Sequence, residues 1–325
     1  KALWYKNKFV TSPFGFGPNT HVLKHGEKIY ALVEGGVSPV IMDSEMNFLE
    51  EEPFPAADNK RFTAHPKIDS DTGEMHAVSY DFGEYVNGLG QVHYVTIDSN
   101  GKLIKDQIIE TPSRPMVHDC AITKNYVLIF DLPVTFNLGR RDDDNNPIGG
   151  DYPVVWNDKH TSRVGLQNKK TDEIIWIEVN PGFLFHIVNS YEDDNGQVVL
   201  DFCRYERLFD FDNPLPMGQK PFLTRWILDP KTKTCSEEML DDRPMEFSRV
   251  HPDFDGKQHR FGYLLNDGRL NNYFKHDFEK SETIAHDFGE SCQAAEPVFI
   301  PRKNAKSEDD GFVVGFVYDL SLIHI

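Results

Sequence analysis

A chain of 325 residues with 52 acidic against 34 basic side chains carries a formal net charge of −18, so phosphate backbones and anionic surfaces repel it and nucleic acid is excluded as an expected partner. Hydrophobic residues make up 39% and aromatic residues 12%, and no run of about 18 apolar residues exists to cross a membrane, which bounds the chain as a water-soluble globular protein expected in the cytoplasm. The four cysteines, Cys120, Cys203, Cys235 and Cys292, form no C-x-x-C pair and are too few for a disulfide framework, in keeping with a reducing compartment.

The chain begins at Lys1, and Trp4-Tyr5-Lys6-Asn7-Lys8-Phe9 has no apolar core of a secretory signal, so a piece of a longer protein is expected. Strand-like runs rich in β-branched and aromatic residues follow at Ile29–Glu34, Met75–Tyr80, Val92–Ile97, Tyr126–Leu132, Ile174–Val179, Phe183–Val188, Val198–Phe202, Phe222–Leu228, His259–Leu265 and Phe312–Tyr318. Asn100-Gly101, Asn195-Gly196 and Asp267-Gly268 stand between several of them, and such dipeptides tolerate the positive φ of tight hairpins. No long segment repeats apolar residues every 3.6 positions. Leu138–Pro153 and Arg207–Lys220 read as loops, the second with aromatics suited to covering apolar surface. No linker or composition shift divides the chain, so residues 1–325 are expected to form one all-β domain: a sandwich, a barrel or, lacking a fixed repeat, an irregular propeller.

Three of the 13 histidines share a setting at a strand mouth: His65 in Ala64-His65-Pro66-Lys67, His118 in Met116-Val117-His118-Asp119, and His186 in Phe185-His186-Ile187-Val188. A single histidine in such a place is ordinarily a hydrogen-bonded structural residue. In a radial all-β fold, however, strand ends remote in sequence meet on one axis. Pairs of His-Asp occur at 118–119, 276–277 and 286–287, but in strands rather than the helices of metal phosphohydrolases, and neither Gly-x-Ser-x-Gly nor a phosphate-cradling loop is present.

These three segments, together with Pro18-Asn19-Thr20, Ala31-Leu32-Val33-Glu34-Gly35-Gly36, Pro153-Val154-Val155-Trp156-Asn157, Arg163-Val164-Gly165-Leu166, Leu223–Asp229, Met245-Glu246-Phe247-Ser248-Arg249-Val250 and Ala295-Glu296-Pro297-Val298, resemble the carotenoid cleavage oxygenases, in the family's order and over almost the whole chain. The resemblance implies an irregular seven-bladed β-propeller, incomplete in this chain, with loops covering one face. It implies an Fe(II) ion on the propeller axis held by four histidines, of which His65, His118 and His186 are the first three. Glu34, Glu246 and Glu296 match the glutamates that orient ligand imidazoles, and Thr20 matches the side chain that crowds one open iron position. The fourth histidine has no counterpart: His324 lies too close to Glu296 and in the wrong context, so the piece is expected to lack both an N-terminal segment and the segment with the fourth ligand.

The activity implied is oxidative cleavage of an alkene by O₂ to two carbonyl products, on an apolar polyene or stilbenoid substrate, with peripheral membrane contact for its uptake. Stilbene-cleaving relatives place a lysine before the glutamate that matches Glu34. Here that position is Val33, which cannot hold a phenolate, so a carotenoid or apocarotenoid is expected ahead of a lignostilbene-type substrate. The alternative from another class is a non-catalytic β-propeller binding protein.

Overall fold

The computed structural model describes residues 18–34, 39–51, 62–80, 90–136, 154–210 and 219–322. The loop expected at Leu138–Pro153, most of its counterpart at Arg207–Lys220, and His324 lie outside them.

Antiparallel strands follow one another as meanders. The first sheet runs β1 (His21–His25), β2 (Lys28–Leu32), β3 (Val40–Met42) and β4 (Phe48–Glu51); the second runs β5 (Lys67–Ile68), β6 (Met75–Tyr80), β7 (Gly90–Ile97) and β8 (Leu103–Thr111). The third pairs β9 (Ala121–Ile122), β10 (Tyr126–Asp131), β13 (Arg163–Asn168) and β14 (Ile174–Glu178), interrupted by the ribbon β11 (Val134–Phe136) and β12 (Val154–Trp156). Seven strands then form one sheet: β15 (Phe183–Glu192), β16 (Val198–Tyr205), β17 (Phe222–Asp229), β18 (Thr234–Val250), β19 (Phe261–Asn266), β20 (Asn272–Asp277) and β21 (Glu282–Asp287). Two ribbons end the chain, β22 (Cys292–Ala294) with β25 (Val317–Asp319) and β23 (Val298–Pro301) with β24 (Gly311–Val314).

The seven-stranded sheet is two four-stranded meanders sharing a bent strand. Residues of β18 up to Pro244 pair with β17, whereas Met245 onward pairs with β19. The bend carries a register shift between Glu246 and Arg249, and Phe247 adopts φ 53°, a left-handed conformation costly for a residue with a Cβ.

The core joins neighbouring sheets. Tyr30, Leu32 and Ile41 of the first pack on Met75, Ala77 and Val95 of the second. Val188, Cys203 and Leu223 pack on Met245, Leu264 and Phe274 across the bend. The largest cluster joins the second, third and fourth meanders through Tyr94, Val127, Leu128, Phe183 and Trp226. Leu208 and Phe209, from the start of the expected aromatic loop, are buried in it.

The expected strands are present, with shifted ends. Ile29–Glu34 stops at Leu32, leaving Glu34 beyond the strand, and His259 turns out of the last third of the chain's ladder to meet the Asn189 amide at 3.1 Å. The run Phe312–Tyr318, expected as one strand, is two strands in different ribbons. Its break is Gly315, where a Cβ would run into the Tyr273 hydroxyl, so the chain passes a spot that favours glycine. All three hairpin glycines take positive φ, for example 83° at Gly101 between β7 and β8. The four cysteines are unbridged, and among the described residues no helix is long and apolar enough to cross a membrane.

Candidate metal centre

Each histidine is delivered by the first strand of its meander or the turn just before it: His65 ahead of β5, His118 ahead of β9 and His186 within β15. At His186 the ladder of β15 shifts register between Leu184 and Ile187 and again before Asn189, and this irregularity re-aims the side chain. The three rings converge. Their centroids lie 4.6 Å apart for His65 and His118, 5.3 Å for His65 and His186, and 5.1 Å for His118 and His186, and one nitrogen from each falls within 4.8 Å of the others.

Two rings are anchored from behind. The Nδ1–H of His118 donates to Glu34 Oε2 at 2.8 Å, and Glu34 Oε1 accepts the buried Tyr80 hydroxyl. Similarly, His186 Nδ1–H donates to Glu246 Oε2, which also accepts the Phe247 amide at 2.6 Å. A carboxylate behind an imidazole fixes its tautomer and leaves Nε2 as a lone-pair donor. His65 is held differently, by its backbone: its N–H donates to Thr63 Oγ1 at 3.1 Å, and His21 Nδ1–H donates to the preceding Ala64 carbonyl at 2.9 Å while stacking on the His65 ring.

The electrostatics follow from this arrangement. Burial, reinforced by His118 and His186, pushes His65 well below the ordinary histidine range, so it stays neutral with a lone pair available. Burial also disfavours a charged His118, but the Glu34 carboxylate beside it outweighs that penalty and raises its proton affinity. Lys67 is buried too, yet its pull toward Asp119 and Asp255 overcomes desolvation and keeps it charged.

Among the described residues, both ring nitrogens of His65 and Nε2 of His118 are buried without a hydrogen-bond partner. An orphaned imidazole nitrogen in a protein interior is costly unless something occupies it, and here one nitrogen from each of the three rings lies within 4.8 Å of the others. Three converging imidazoles, two of them backed by carboxylates, fit a divalent transition metal such as Fe(II). Aromatic rings border the cluster: Phe185 stands edge-on to His118 at 5.0 Å, Phe247 lies 4.9 Å from His186, and Phe183, Tyr205 and Phe209 continue from Phe185.

The remaining expected site residues are not drawn to the rings. Glu296 pairs with Arg249 at 2.7 Å and hydrogen-bonds no imidazole among the described residues. Thr20 is exposed just ahead of β1, its hydroxyl donating to Asn19 at 3.0 Å. Tyr80, His21 and Asp119 join the site without a motif of their own, and only Asp119 carries a local signal, since it follows directly on His118.

The family model described as "RPE65: Retinal pigment epithelial membrane protein" matches residues 8–322. The chain belongs to the carotenoid cleavage oxygenase family. It is 31% identical to the carotenoid cleavage oxygenase of Mycobacterium tuberculosis over 97% of its length, spanning 76% of that protein. It is 27% identical to the apocarotenoid-15,15'-oxygenase of Synechocystis over 94% of its length, spanning 65% of that protein. Among solved structures it superposes on the lignostilbene dioxygenase of Pseudomonas brassicacearum with a TM-score of 0.81 and 26% identity, covering 94% of this chain and 68% of that one. The fold of cobalt-substituted Synechocystis ACO matches with a TM-score of 0.80. The meanders are thus blades of the β-propeller of this family of oxygenase enzymes.

Proposed function

We propose that the protein to which this chain belongs is a non-haem iron(II) dioxygenase that cleaves one alkene bond of a carotenoid or apocarotenoid into two carbonyl products, each taking one oxygen atom of O₂. The observation that carries this is the convergence of His65, His118 and His186, one nitrogen of each within 4.8 Å of the others, with carboxylates behind two of the rings. In this reading the ring closes with seven blades, Thr20 crowds one metal position, and Glu296 serves a further histidine.

His65, His118 and His186 would hold the iron, and Glu34 and Glu246 keep their rings in one tautomer and direction. Imidazole ligands would leave a ferrous ion its positive charge, and the ion would supply reactivity toward O₂. Phe185 and Phe247 close the flanks of two rings, excluding water and offering apolar surface to a polyene. The cleavage transfers no proton to the protein, so no side chain is assigned as a general base. Buried Val33, next to Glu34, offers no donor or charge to a phenol, which favours a polyene.

The test is to incubate the iron-loaded protein with an apocarotenal and, separately, with a hydroxystilbene, and to measure aldehyde formation. Aldehyde from the apocarotenal is expected. Fast aldehyde formation from the stilbene alone would move the substrate to the stilbenoids, and none from either would favour a binding protein.

A further inference from the structure

The carboxylate of Asp119 touches all three histidine-bearing segments. It is buried, at 2% exposure, immediately after His118 in the third meander. Its Oδ1 accepts the neighbouring Cys120 amide at 2.7 Å and the ammonium of Lys67 at 2.9 Å. Lys67 opens β5, two residues after His65 in the second meander. The other oxygen, Oδ2, accepts the amide of Ile187 at 3.2 Å, and Ile187 follows His186 in the fourth. Three segments that lie far apart in sequence thus meet on two oxygen atoms.

Each contact falls where the local backbone does not hold itself. Ile187 stands between two register shifts of β15, so its amide lies in the irregular stretch that turns His186 inward. The second meander's first strand is only two residues long, Lys67–Ile68, and gives His65 little ladder to stand on. A further thread runs the same way: the Cys120 thiol approaches the His65 carbonyl at 3.6 Å. Among the described residues, His65 is also the one member of the triad without a carboxylate behind its ring, and both its ring nitrogens lack a partner. Its position must therefore come from its segment.

We propose that Asp119 is the positioning residue that sets the three histidine segments against one another, with Lys67 as its counter-ion, so that metal affinity and ligand geometry depend on a carboxylate that hydrogen-bonds none of the three rings. This rests on the metal-binding reading of the triad. The chemistry of a substitution shows why. Asp119→Asn keeps the volume but replaces one oxygen by an NH₂ group. The amide then turns a donor either toward the Ile187 N–H or toward the Lys67 ammonium, and one of the two ties between segments becomes repulsive.

Co²⁺ tests this, because its visible absorption reports ligand geometry and its titration reports affinity in the full chain without turnover. The wild type is compared with Asp119→Asn, Lys67→Met, the double variant, and Asp201→Asn as a control. Asp201 is equally buried and engaged by Arg225 at 2.7 Å, but its carboxylate meets none of the three segments. Asp119→Asn is expected to bind Co²⁺ about 10- to 100-fold more weakly with a shifted visible band, the size usual for a partner lying behind metal ligands. Lys67→Met should weaken it in the same direction, the double variant by less than the product of the two, since both act through one tie. Asp201→Asn should lower thermal stability yet keep the wild-type band and affinity.

Wild-type affinity and band in both Asp119→Asn and Lys67→Met would overturn the positioning role, as would an equal loss in Asp201→Asn. Should Asp119→Asn not fold, the Lys67→Met titration decides alone. No Co²⁺ binding by the wild type would instead overturn the metal centre, and the positioning role with it.

Discussion

Replacing Glu34 by glutamine removes a charge from behind His118 while leaving shape and one acceptor in place. The bond affected is the His118 Nδ1–H donation to Glu34 Oε2 at 2.8 Å, in a site where the glutamate side chain is 20% exposed and the histidine 12%. Hydrogen bonds to an ionised group contribute about 1.5–3 kcal/mol against about 0.5–1.5 for a neutral pair, so the substitution forfeits about 1–2 kcal/mol of support for a metal-bound imidazole. At about 1.4 kcal/mol per tenfold, Glu34→Gln should weaken Fe(II) or Co²⁺ binding roughly 5- to 30-fold. The same carboxylate raises the proton affinity of His118, so protons compete with metal as pH falls. The deficit is therefore largest above the titration of His118 and narrows in acid, where the wild type loses affinity faster than the variant. Anaerobic competition titrations across that range give the measurement. Equal affinities in mild alkali for wild type, Glu34→Gln and Glu34→Ala would refute the claim that Glu34 orients a ligand.

Two further predictions concern stability. His76 and His259 are buried and held down to about 3, first by burial and then by cations, Lys169 for His76 and Arg225 for His259, whereas in the unfolded chain they titrate near 6.5. The folded state therefore binds fewer protons, and stability falls as pH drops from 6.5 toward about 3. Each group should cost about 1.4 kcal/mol at a pH one unit below its unfolded value, and denaturant melts of His259→Gln between neutral and mildly acidic pH should show a correspondingly flatter decline; an unchanged decline would contradict its buried neutral state. At the exposed turn between β17 and β18, Lys233 adopts φ 58°, so Lys233→Gly should stabilise the chain, by up to about 1 kcal/mol, as a higher denaturation midpoint.

Much of this architecture is written locally. Tyr126–Asp131 carries a continuous apolar run that could only be a strand, and Asn100-Gly101 marks the hairpin between β7 and β8 through a conformation few other residues accept. β8 is harder to read, because Lys105 and Gln107 stand on the inner face of Leu103-Ile104-Lys105-Asp106-Gln107-Ile108-Ile109 and break its apolar pattern, although its burial alternates as a half-exposed strand requires. The bend in β18 and the break at Gly315 were not legible, since one depends on pairing with two different strands and the other on Tyr273 arriving from β20.

The same division runs through the site. His65, His118 and His186 share a local context at the starts of first strands, and the resemblance paired Glu34 and Glu246 with imidazoles as the structure does. Tyr80 behind Glu34, His21 behind Ala64, and Asp119 between Lys67 and Ile187 act over separations of 46, 43 and 68 residues, and nothing in the flanking sequence names such a partner. Glu296 shows the converse: its motif is present, but among the described residues the cation Arg249 takes its carboxylate.

The central claim is that His65, His118 and His186 form a metal centre. Elemental analysis of the protein purified anaerobically after supply with ferrous iron tests it directly, beside single His→Ala replacements at the three positions. The account predicts about one iron per chain in the wild type and its loss in His118→Ala, because removing one of three converging imidazoles leaves the other two too few to retain the ion. No stoichiometric metal in the wild type near neutral pH, or iron retained undiminished in all three variants, would contradict it.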